Sequence, residues 1–333
     1  MDTVPFLAFV ATRADDAVHT TVEELDDAEL PPGEVLVDVE WSSINYKDAM
    51  VTLPGNRVAR RSPLVPGVDL AGRVLESTDP SVPPGMDVVV HGYDLGVGRH
   101  GGFATRARVP AAWVVPLTGG LTTRRAAAVG TAGFTAVLSV EKLKKAGVRP
   151  GDGQVLVTGA SGGVGSMAVA ALARQGYEVA ASTGKGAAHD YLRSLGASDV
   201  VGRDGIAEAG RALSKERWSG AIDCVGGDTL AATLRALSYG GAVAASGLTA
   251  GPDLHTSVFP FIVRGVSLLG VDSAQTPIDE RRRVWSIVQE VLPVATVDAM
   301  VAKEVGLHQL ASELDDVLAA RVRGRVLVRP AAR

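Results

Sequence analysis

The chain has 333 residues, of which 46% are hydrophobic and 21% are charged. That composition excludes a disordered chain, and the length predicts about two domains with sizeable cores. The 33 basic and 37 acidic residues leave a net charge of −4, which does not favour nucleic acid as a partner. The amino terminus lacks a signal-peptide layout, and no apolar run approaches the roughly 18 residues of a membrane span. We therefore expect a cytoplasmic protein with no membrane partner.

The first part of the chain, up to about residue 125, is predicted to be rich in β-structure. Residues 35–39 alternate between apolar and polar side chains, and residues 87–90 form a short apolar run. Turn signals such as Pro31-Pro32-Gly33 and Pro66-Gly67 separate these runs, and long helical periodicity is absent. The pattern predicts a compact, partly barrel-like β domain.

The pattern changes near residue 122. Thr123 to Lys145 is predicted to be mostly helical, with a break around Gly130. Strands and helices then alternate, with strands predicted at 154–158, 177–182, 199–202, 220–225, 241–246 and 266–271. This alternation predicts a parallel sheet wound on both faces, which makes the fold α/β. A helix at about 279–292 and a final strand at 325–328 are expected to rejoin the first domain.

A glycine-rich segment, Thr158 to Gly165, lies between a predicted strand and an Ala-rich predicted helix. Its sequence is T-G-A-S-G-G-V-G. In this context glycines allow a sharp turn and a close approach of pyrophosphate to the free N–H groups of the helix N-terminus. The segment predicts a dinucleotide-binding site.

The end of the second predicted strand indicates which dinucleotide binds. NAD-binding folds place an acid there to accept from the ribose 2′-hydroxyl. This chain instead has Ser182, Thr183 and Lys185, and Arg203 follows the next strand. Hydroxyls and cations suit a 2′-phosphate, so we predict NADPH as the cofactor. The alternative is that Lys185 and Arg203 are ordinary surface charges.

Several motifs in a fixed order carry a resemblance to a known family. They are Trp41–Asp48, Pro66–Gly72, Gly130–Thr135, Thr158–Gly165, Ser194–Ala197, Pro260–Ile262 and Gly270–Ser273. Together they resemble the zinc-independent quinone oxidoreductase branch of the medium-chain dehydrogenase/reductases, and within it the NADPH-dependent acrylyl-CoA reductases. The resemblance implies a GroES-like catalytic domain at 1–122 and 273–333, a Rossmann domain at 123–272, and a homodimer.

The resemblance also implies a set of NADPH contacts. These are Tyr46, Ser161, Gly162, Gly163, Val164, Ser182, Thr183, Gly184, Arg203, Leu248, Ile262 and Ser273, with Arg325 as a weaker candidate. Thr131 is expected either near the nicotinamide or as a cap of the next turn. Zinc-dependent relatives carry a cysteine at the position of Asn45 and a His-Glu pair at Val68-Asp69. Because Asn45 and Val68 are poor zinc ligands and no cysteine lies near Gly130, no catalytic metal is expected.

An enzyme of this type would move a hydride from NADPH to the β-carbon of an α,β-unsaturated thioester. Charge then develops on the carbonyl oxygen and needs hydrogen-bond donors. Asn45 and Tyr46 are the candidate donors, and Tyr46 serves either as proton donor or only as a wall of the cofactor pocket. Asp69 is expected to orient this loop, by pairing with Lys47, or else to form an ordinary structural ion pair.

A basic segment follows the predicted catalytic loop and carries Arg57, Arg60 and Arg61. These arginines either bind the phosphates of coenzyme A or form a solvated loop. The leading interpretation is thus an acrylyl-CoA reductase. A quinone or enone oxidoreductase of the same fold is the first alternative, and a non-catalytic NADPH-binding sensor is the second.

Overall fold

The structure, a computed structural model, describes residues 4–206 and 212–331. It divides into two compact units. The first comprises Met1–Thr131, Ala274–Arg283 and Val297–Arg333, and the second comprises Ala132–Ser273 and Val284–Thr296. The predicted domain boundaries differ from these units in placing residues 123–131 in the second domain, and Ser273 and residues 284–296 in the first.

The strands and helices are numbered in chain order. The strands are β1 (Pro5–Ala14), β2 (Ala17–Asp26), β3 (Val35–Ser43), β4 (Asp69–Ser77), β5 (Asp87–His91), β6 (Arg106–Val109), β7 (Val115–Pro116), β8 (Val155–Val157), β9 (Val179–Ser182), β10 (Asp199–Val201), β11 (Trp218–Asp223), β12 (Leu237–Ala245), β13 (Ser267–Gly270), β14 (Val301–Val305) and β15 (Arg325–Val328). The α-helices are α1 (Tyr46–Val51), α2 (Thr123–Lys145), α3 (Gly163–Arg174), α4 (His189–Ser194), α5 (Gly227–Ala236), α6 (Phe259–Arg264), α7 (Ile278–Val291), α8 (Val294–Met300) and α9 (Leu310–Leu318).

The first unit is built on a sheet with strand order β14-β15-β3-β4-β5-β7, to which β6 adds by pairing with β3. Strand β3 is buried on both faces. Val37 packs in a core with Leu70 and Val88, whereas its neighbour Leu36 packs in a second core with Phe103. The β1–β2 hairpin lies outside this sheet and forms single bridges to Ala104 and Leu64, which belong to no strand. The predicted β-rich domain is confirmed.

The second unit is a parallel sheet with strand order β10-β9-β8-β11-β12-β13. Numbered within the unit, this is the order 3-2-1-4-5-6 of a doubly wound fold, so the predicted α/β class is confirmed. Its central strand β8 reads Val-Leu-Val and is fully buried, as parallel strands covered on both faces require. The strand order reverses between β8 and β11, and such folds bind ligands at the carboxyl ends of strands at that point.

Helix α2 is long and apolar enough to cross a membrane by length and composition, unlike our expectation from the sequence. However, 89% of its most apolar window is buried inside the protein, as in a core helix. Gly130 interrupts the helix with φ 49° and ψ −155°, which confirms the predicted break. A side chain would be strained in that conformation.

Candidate active site and cofactor-binding residues

The glycine turn of the second unit joins β8 to α3, as predicted. Gly159 has a positive φ of 60°, and Gly165 packs against it so closely that a Cβ there would lie 2.4 Å from the Gly159 carbonyl oxygen. Gly162, by contrast, has only that same carbonyl oxygen nearby, at 3.4 Å from a Cβ. The first N–H groups of α3, starting at Gly163, have no acceptor within their own helix. The turn therefore offers the shape and the donors that a pyrophosphate needs.

The carboxyl end of β9 lies next to this turn and brings the predicted phosphate-binding residues together. Ser182 and Thr183 are buried, and the Thr183 hydroxyl lies 3.0 Å from the Ser161 hydroxyl. Gly184 allows the Arg203 side chain to pass over it, since a Cβ there would lie 2.6 Å from Arg203 Nε. Burial, and then the charge of Arg203, lowers the pKa of Lys185. Two cations thus stand side by side beyond β9, where an NAD-specific site would have an acid.

Asp223 is a residue of this site that the sequence analysis missed. It ends β11, is buried, and accepts a hydrogen bond of 2.7 Å from the Thr158 hydroxyl and one of 2.7 Å from the Gly226 N–H. Burial raises the pKa of Asp223. The carboxylate therefore ties the start of the glycine turn to the loop after β11. Cys224 follows β11 rather than lying on it, and burial together with the Asp223 charge raises the pKa of its thiol to about 12.

Three further predicted cofactor contacts lie on separate segments of the second unit. Leu248 follows β12 and is 53% exposed, and its Cα would be 3.1 Å from a Cβ at Gly226. Ile262 lies in α6 and is 72% exposed. Ser273 follows β13. Leu248 thus lies beside the loop after β11, and the cofactor contacts of all three residues stay predictions.

Asp69 is the centre of a buried polar network in the first unit. It is the first residue of β4 and is fully buried. Its Oδ1 accepts from the Thr131 N–H at 2.8 Å and the Thr131 hydroxyl at 2.6 Å. Its Oδ2 accepts from the Ser43 hydroxyl at 2.6 Å and the Asn45 amide at 2.8 Å. Both carboxylate oxygens are therefore occupied, which links three separate segments of the unit.

The cation facing Asp69 is Arg325, at 3.4 Å, so the predicted pairing with Lys47 is wrong. Lys47 is exposed on α1, whereas Asp69 and Arg325 are both buried. Arg325 also donates to the Ser43 hydroxyl at 2.6 Å and to the Asn45 side-chain oxygen at 3.2 Å. Burial lowers the pKa of Arg325 and the Asp69 charge opposes that shift. The guanidinium is engaged by the protein, so its contact with the cofactor stays a prediction.

The two residues of the predicted catalytic loop differ in how they are held. The Asn45 amide donates to Asp69 and, at 3.3 Å, to the Ser43 carbonyl, so both of its hydrogens point to protein acceptors. Tyr46 is the first residue of α1 and is 38% exposed. Its hydroxyl makes no hydrogen bond to the part of the chain that the structure describes. The geometry thus leaves Tyr46 as the available donor, with Asn45 holding the loop.

Asp48 is the third residue of α1 and caps the start of this helix. Its carboxylate accepts from the backbone N–H groups of Asn45 at 2.8 Å, Gly67 at 3.2 Å and Val68 at 2.8 Å. Burial, followed by the charge of Asp69, raises its pKa to about 7. Asp48 therefore joins the catalytic loop to the segment that precedes β4.

His91 and Arg281 form a second buried pair that the sequence did not indicate. His91 ends β5, and the Arg281 guanidinium lies 2.7 Å from its Nδ1 and donates to its carbonyl at 2.8 Å. Burial and the Arg281 charge hold the pKa of His91 well below its usual range. The Thr131 hydroxyl lies 3.4 Å from the His91 ring. A neutral histidine therefore lies behind the Thr131 contact to Asp69.

The residues at the zinc-ligand positions of metal-dependent relatives are Asn45, Val68 and Asp69. Within residues 4–206 and 212–331, no group of three or more His, Cys, Asp or Glu side chains is placed to hold a metal ion. The donor set at this position is an amide and one carboxylate already paired with Arg325. It does not resemble a zinc site.

Comparison with known proteins defines the family. Residues 31–119 match the alcohol dehydrogenase GroES-like domain, and residues 163–290 match the zinc-binding dehydrogenase family. The chain is 47% identical over 326 residues to acrylyl-CoA reductase AcuI of Ruegeria pomeroyi, a match that covers 97% of this chain and 98% of AcuI. The chain therefore belongs to the medium-chain dehydrogenase/reductase superfamily.

Two further relatives have solved structures. Putative quinone oxidoreductase YhfP of Bacillus subtilis is 45% identical over 325 residues, which is 97% of this chain and 98% of YhfP. Its structure with NAD bound matches with a TM-score of 0.95 and covers 98% of this chain and 99% of the other. The YhdH oxidoreductase of Salmonella enterica, solved in complex with NADP, matches with a TM-score of 0.94 at 46% identity, over 97% and 99% of the two chains.

Proposed function

We propose that this protein is an NADPH-dependent reductase of the C=C bond of an α,β-unsaturated acyl-CoA, converting acrylyl-CoA to propionyl-CoA. The observation that carries the proposal is the similarity, over nearly the whole chain, to relatives named as acrylyl-CoA reductases at 45% and 47% identity. The exposed Tyr46 beside the buried Asp69 network supports the proposal, because these polar residues lie at the position where zinc-dependent relatives bind their metal.

The residues of the second unit fit NADPH. The glycine turn leaves room for a pyrophosphate, and Lys185 and Arg203 supply cations beyond β9 for a 2′-phosphate. The variant Lys185→Gln should raise the KM for NADPH about tenfold and leave that for NADH unchanged. Lys144→Gln is the matched control, since Lys144 is a surface lysine of the same unit paired with Glu141. An equal change in both KM values would overturn the assignment, and NADH would then be a natural cofactor, as the NAD-bound structure of YhfP allows.

The bound nicotinamide would supply the hydride for the β-carbon. In this chain the Asp69 network holds the loop on which Tyr46 lies, and Tyr46 donates its hydroxyl hydrogen toward the substrate. Asn45 and Asp69 are then positioning residues. Tyr46→Phe should lower kcat about 100-fold or more if the hydroxyl delivers the proton to the α-carbon. Full turnover in this variant would leave Tyr46 as a wall of the cofactor pocket only.

The second candidate function is reduction of a quinone or a simple enone, which the similarity to the quinone oxidoreductase YhfP favours. NADPH oxidation measured side by side with acrylyl-CoA, crotonyl-CoA and a simple quinone separates the two functions. We expect the highest kcat/KM with acrylyl-CoA. A quinone that is reduced with a higher kcat/KM than either thioester would favour the second candidate.

Metal-free turnover and a cytoplasmic location belong to the same proposal. Asn45 and Val68 are poor metal ligands, so activity should be unchanged after exhaustive treatment with a chelator. Loss of activity that zinc restores would contradict this. The cytoplasm supplies both NADPH and CoA thioesters, and fractionation of the source cells would test the location.

We also propose a homodimer formed at the β13 edge of the second unit. Strand β13 ends the parallel sheet, is largely exposed, and carries Leu268 at 39% exposure. The neighbouring helix α6 exposes Phe259 and Val263. Unpaired apolar edges join other strands unless they are covered. Light scattering should give twice 34.3 kDa, and Leu268→Lys should shift the mass toward the monomer. A monomeric wild-type protein would contradict the proposal.

A further inference from the structure

The segment 52–63, called here the arginine loop, follows α1 and carries Arg57, Arg60 and Arg61. It is internally organised by Asn56. The Asn56 amide donates to the Leu53 carbonyl at 2.7 Å, and its side-chain oxygen accepts from the N–H groups of Val58 and Ala59 at 3.0 Å each. The loop thus has a defined shape of its own, although it contains no helix or strand.

The arginine loop is also anchored to its neighbours. The Arg13 N–H donates to the Ser62 hydroxyl at 2.8 Å, and the Arg13 guanidinium donates to the Ala59 carbonyl at 3.1 Å. The Arg60 N–H donates to the Val97 carbonyl at 2.9 Å. Val58 packs against a small buried cluster that includes Leu64. These anchors reduce the entropy lost when the loop binds a ligand.

The three arginines differ in how their charges are used. Arg60 forms an ion pair with Asp94. Arg61 is half-buried, and among the described residues its guanidinium has one hydrogen bond, to the Pro63 carbonyl at 3.2 Å. Arg57 is exposed and makes no hydrogen bond or ion pair with any residue that the structure describes. The loop therefore presents two uncompensated guanidinium groups, at Arg57 and Arg61.

We propose that Arg57 and Arg61 bind the phosphate groups of the coenzyme A part of the substrate. This inference rests on the proposed function. Guanidinium groups bind phosphate oxygens with two parallel hydrogen bonds. Helix α1 has six residues and spans about 9 Å, so the loop begins one short helix away from Tyr46. Coenzyme A has the same layout, because its pantetheine arm separates the thioester from the phosphates.

The test compares two thioesters of the same acyl group under saturating NADPH. One is acrylyl-CoA, and the other is the acryloyl thioester of N-acetylcysteamine, which lacks all the phosphates. Arg57→Gln and Arg61→Gln should each raise the KM for acrylyl-CoA roughly fivefold, and the KM for the short thioester should not change. The wild-type KM for acrylyl-CoA should rise with salt, because exposed charges are screened.

The matched control is the double variant Arg60→Gln with Asp94→Asn, which removes the compensated pair between this loop and Asp94 and leaves the net charge of the protein unchanged. It should keep the wild-type KM for both thioesters. The inference is overturned if Arg57→Gln and Arg61→Gln affect both thioesters equally, or acrylyl-CoA no more than the control does. If neither thioester is reduced, the proposed function fails, and calorimetric titration of coenzyme A itself into wild type and variants still decides the inference. Equal affinities there would overturn it.

Discussion

Replacement of Asp69 by Asn is the sharpest perturbation of the buried network. Asn has the same shape, so no cavity forms, but one carboxylate oxygen becomes an N–H₂ group that faces donors from Ser43 or Thr131. Arg325, only 3% exposed, also loses its counterion. Breaking a buried ion pair on one side costs about 3–5 kcal/mol. We therefore expect Asp69→Asn to lower the unfolding temperature by roughly 6–20 °C. We also expect it to lower kcat, because the network that holds the Asn45–Tyr46 loop is disrupted.

The assay is calorimetric unfolding of the purified variants, with NADPH oxidation measured on the same samples. The control is Asp87→Asn, which removes a surface pair with Arg73 in the same sheet and should cost under about 1 kcal/mol. The double variant Asp69→Asn with Arg325→Met should lose less stability than the two single variants added together, because the charges are removed as a pair. Equal effects of Asp69→Asn and Asp87→Asn would refute the role given to the network.

Three further perturbations test other parts of the molecule. Gly165→Ala places a Cβ 2.4 Å from the Gly159 carbonyl oxygen, so fluorescence titration should show at least about tenfold weaker NADPH binding, and unchanged binding would contradict the close packing of the turn. Burial and then the charge of Arg61 lower the pKa of His100 from 6.5 to about 4. The unfolding free energy of wild type should therefore fall by up to about 3 kcal/mol as pH falls from 6.5 to 4. Denaturant unfolding of His100→Gln should not show this loss. Asp48 should change stability with pH in the opposite direction, because its pKa is raised to about 7: its contribution to the unfolding free energy is present at pH 4 and is lost as pH rises to 7. The unfolding free energy of Asp48→Asn should therefore depend less on pH over that range. The same pH dependence as in wild type would be inconsistent with the burial of this carboxylate.

The parts of the fold that local patterns control were predictable. Strand β8 is a short apolar run, and the spacing of the glycines that follow it is typical of a strand–turn–helix unit. The predicted final strand, 325–328, coincides with β15 because Arg325 and three apolar residues follow the turn at Gly324. The break at Gly130 was visible for the same reason, since glycines disfavour a helix interior.

The partners of buried charges were not predictable in this way. Asp69 pairs with Arg325, which is 256 residues away, whereas local reasoning chose a lysine near Asn45 in the sequence. Arg281 and His91 are 190 residues apart and meet only in the folded unit. Such pairs are brought together by the sheet and by the return of the chain to the first unit. A single sequence carries no periodicity or spacing that indicates them.

The most direct test of the central claim is NADPH consumption with acrylyl-CoA as the only acceptor, with the product identified by mass spectrometry. We expect stoichiometric formation of propionyl-CoA, a kcat/KM for acrylyl-CoA higher than for crotonyl-CoA or a quinone, and much lower activity with NADH. Tight NADPH binding with no consumption of acrylyl-CoA, or equal rates with NADH, would contradict it.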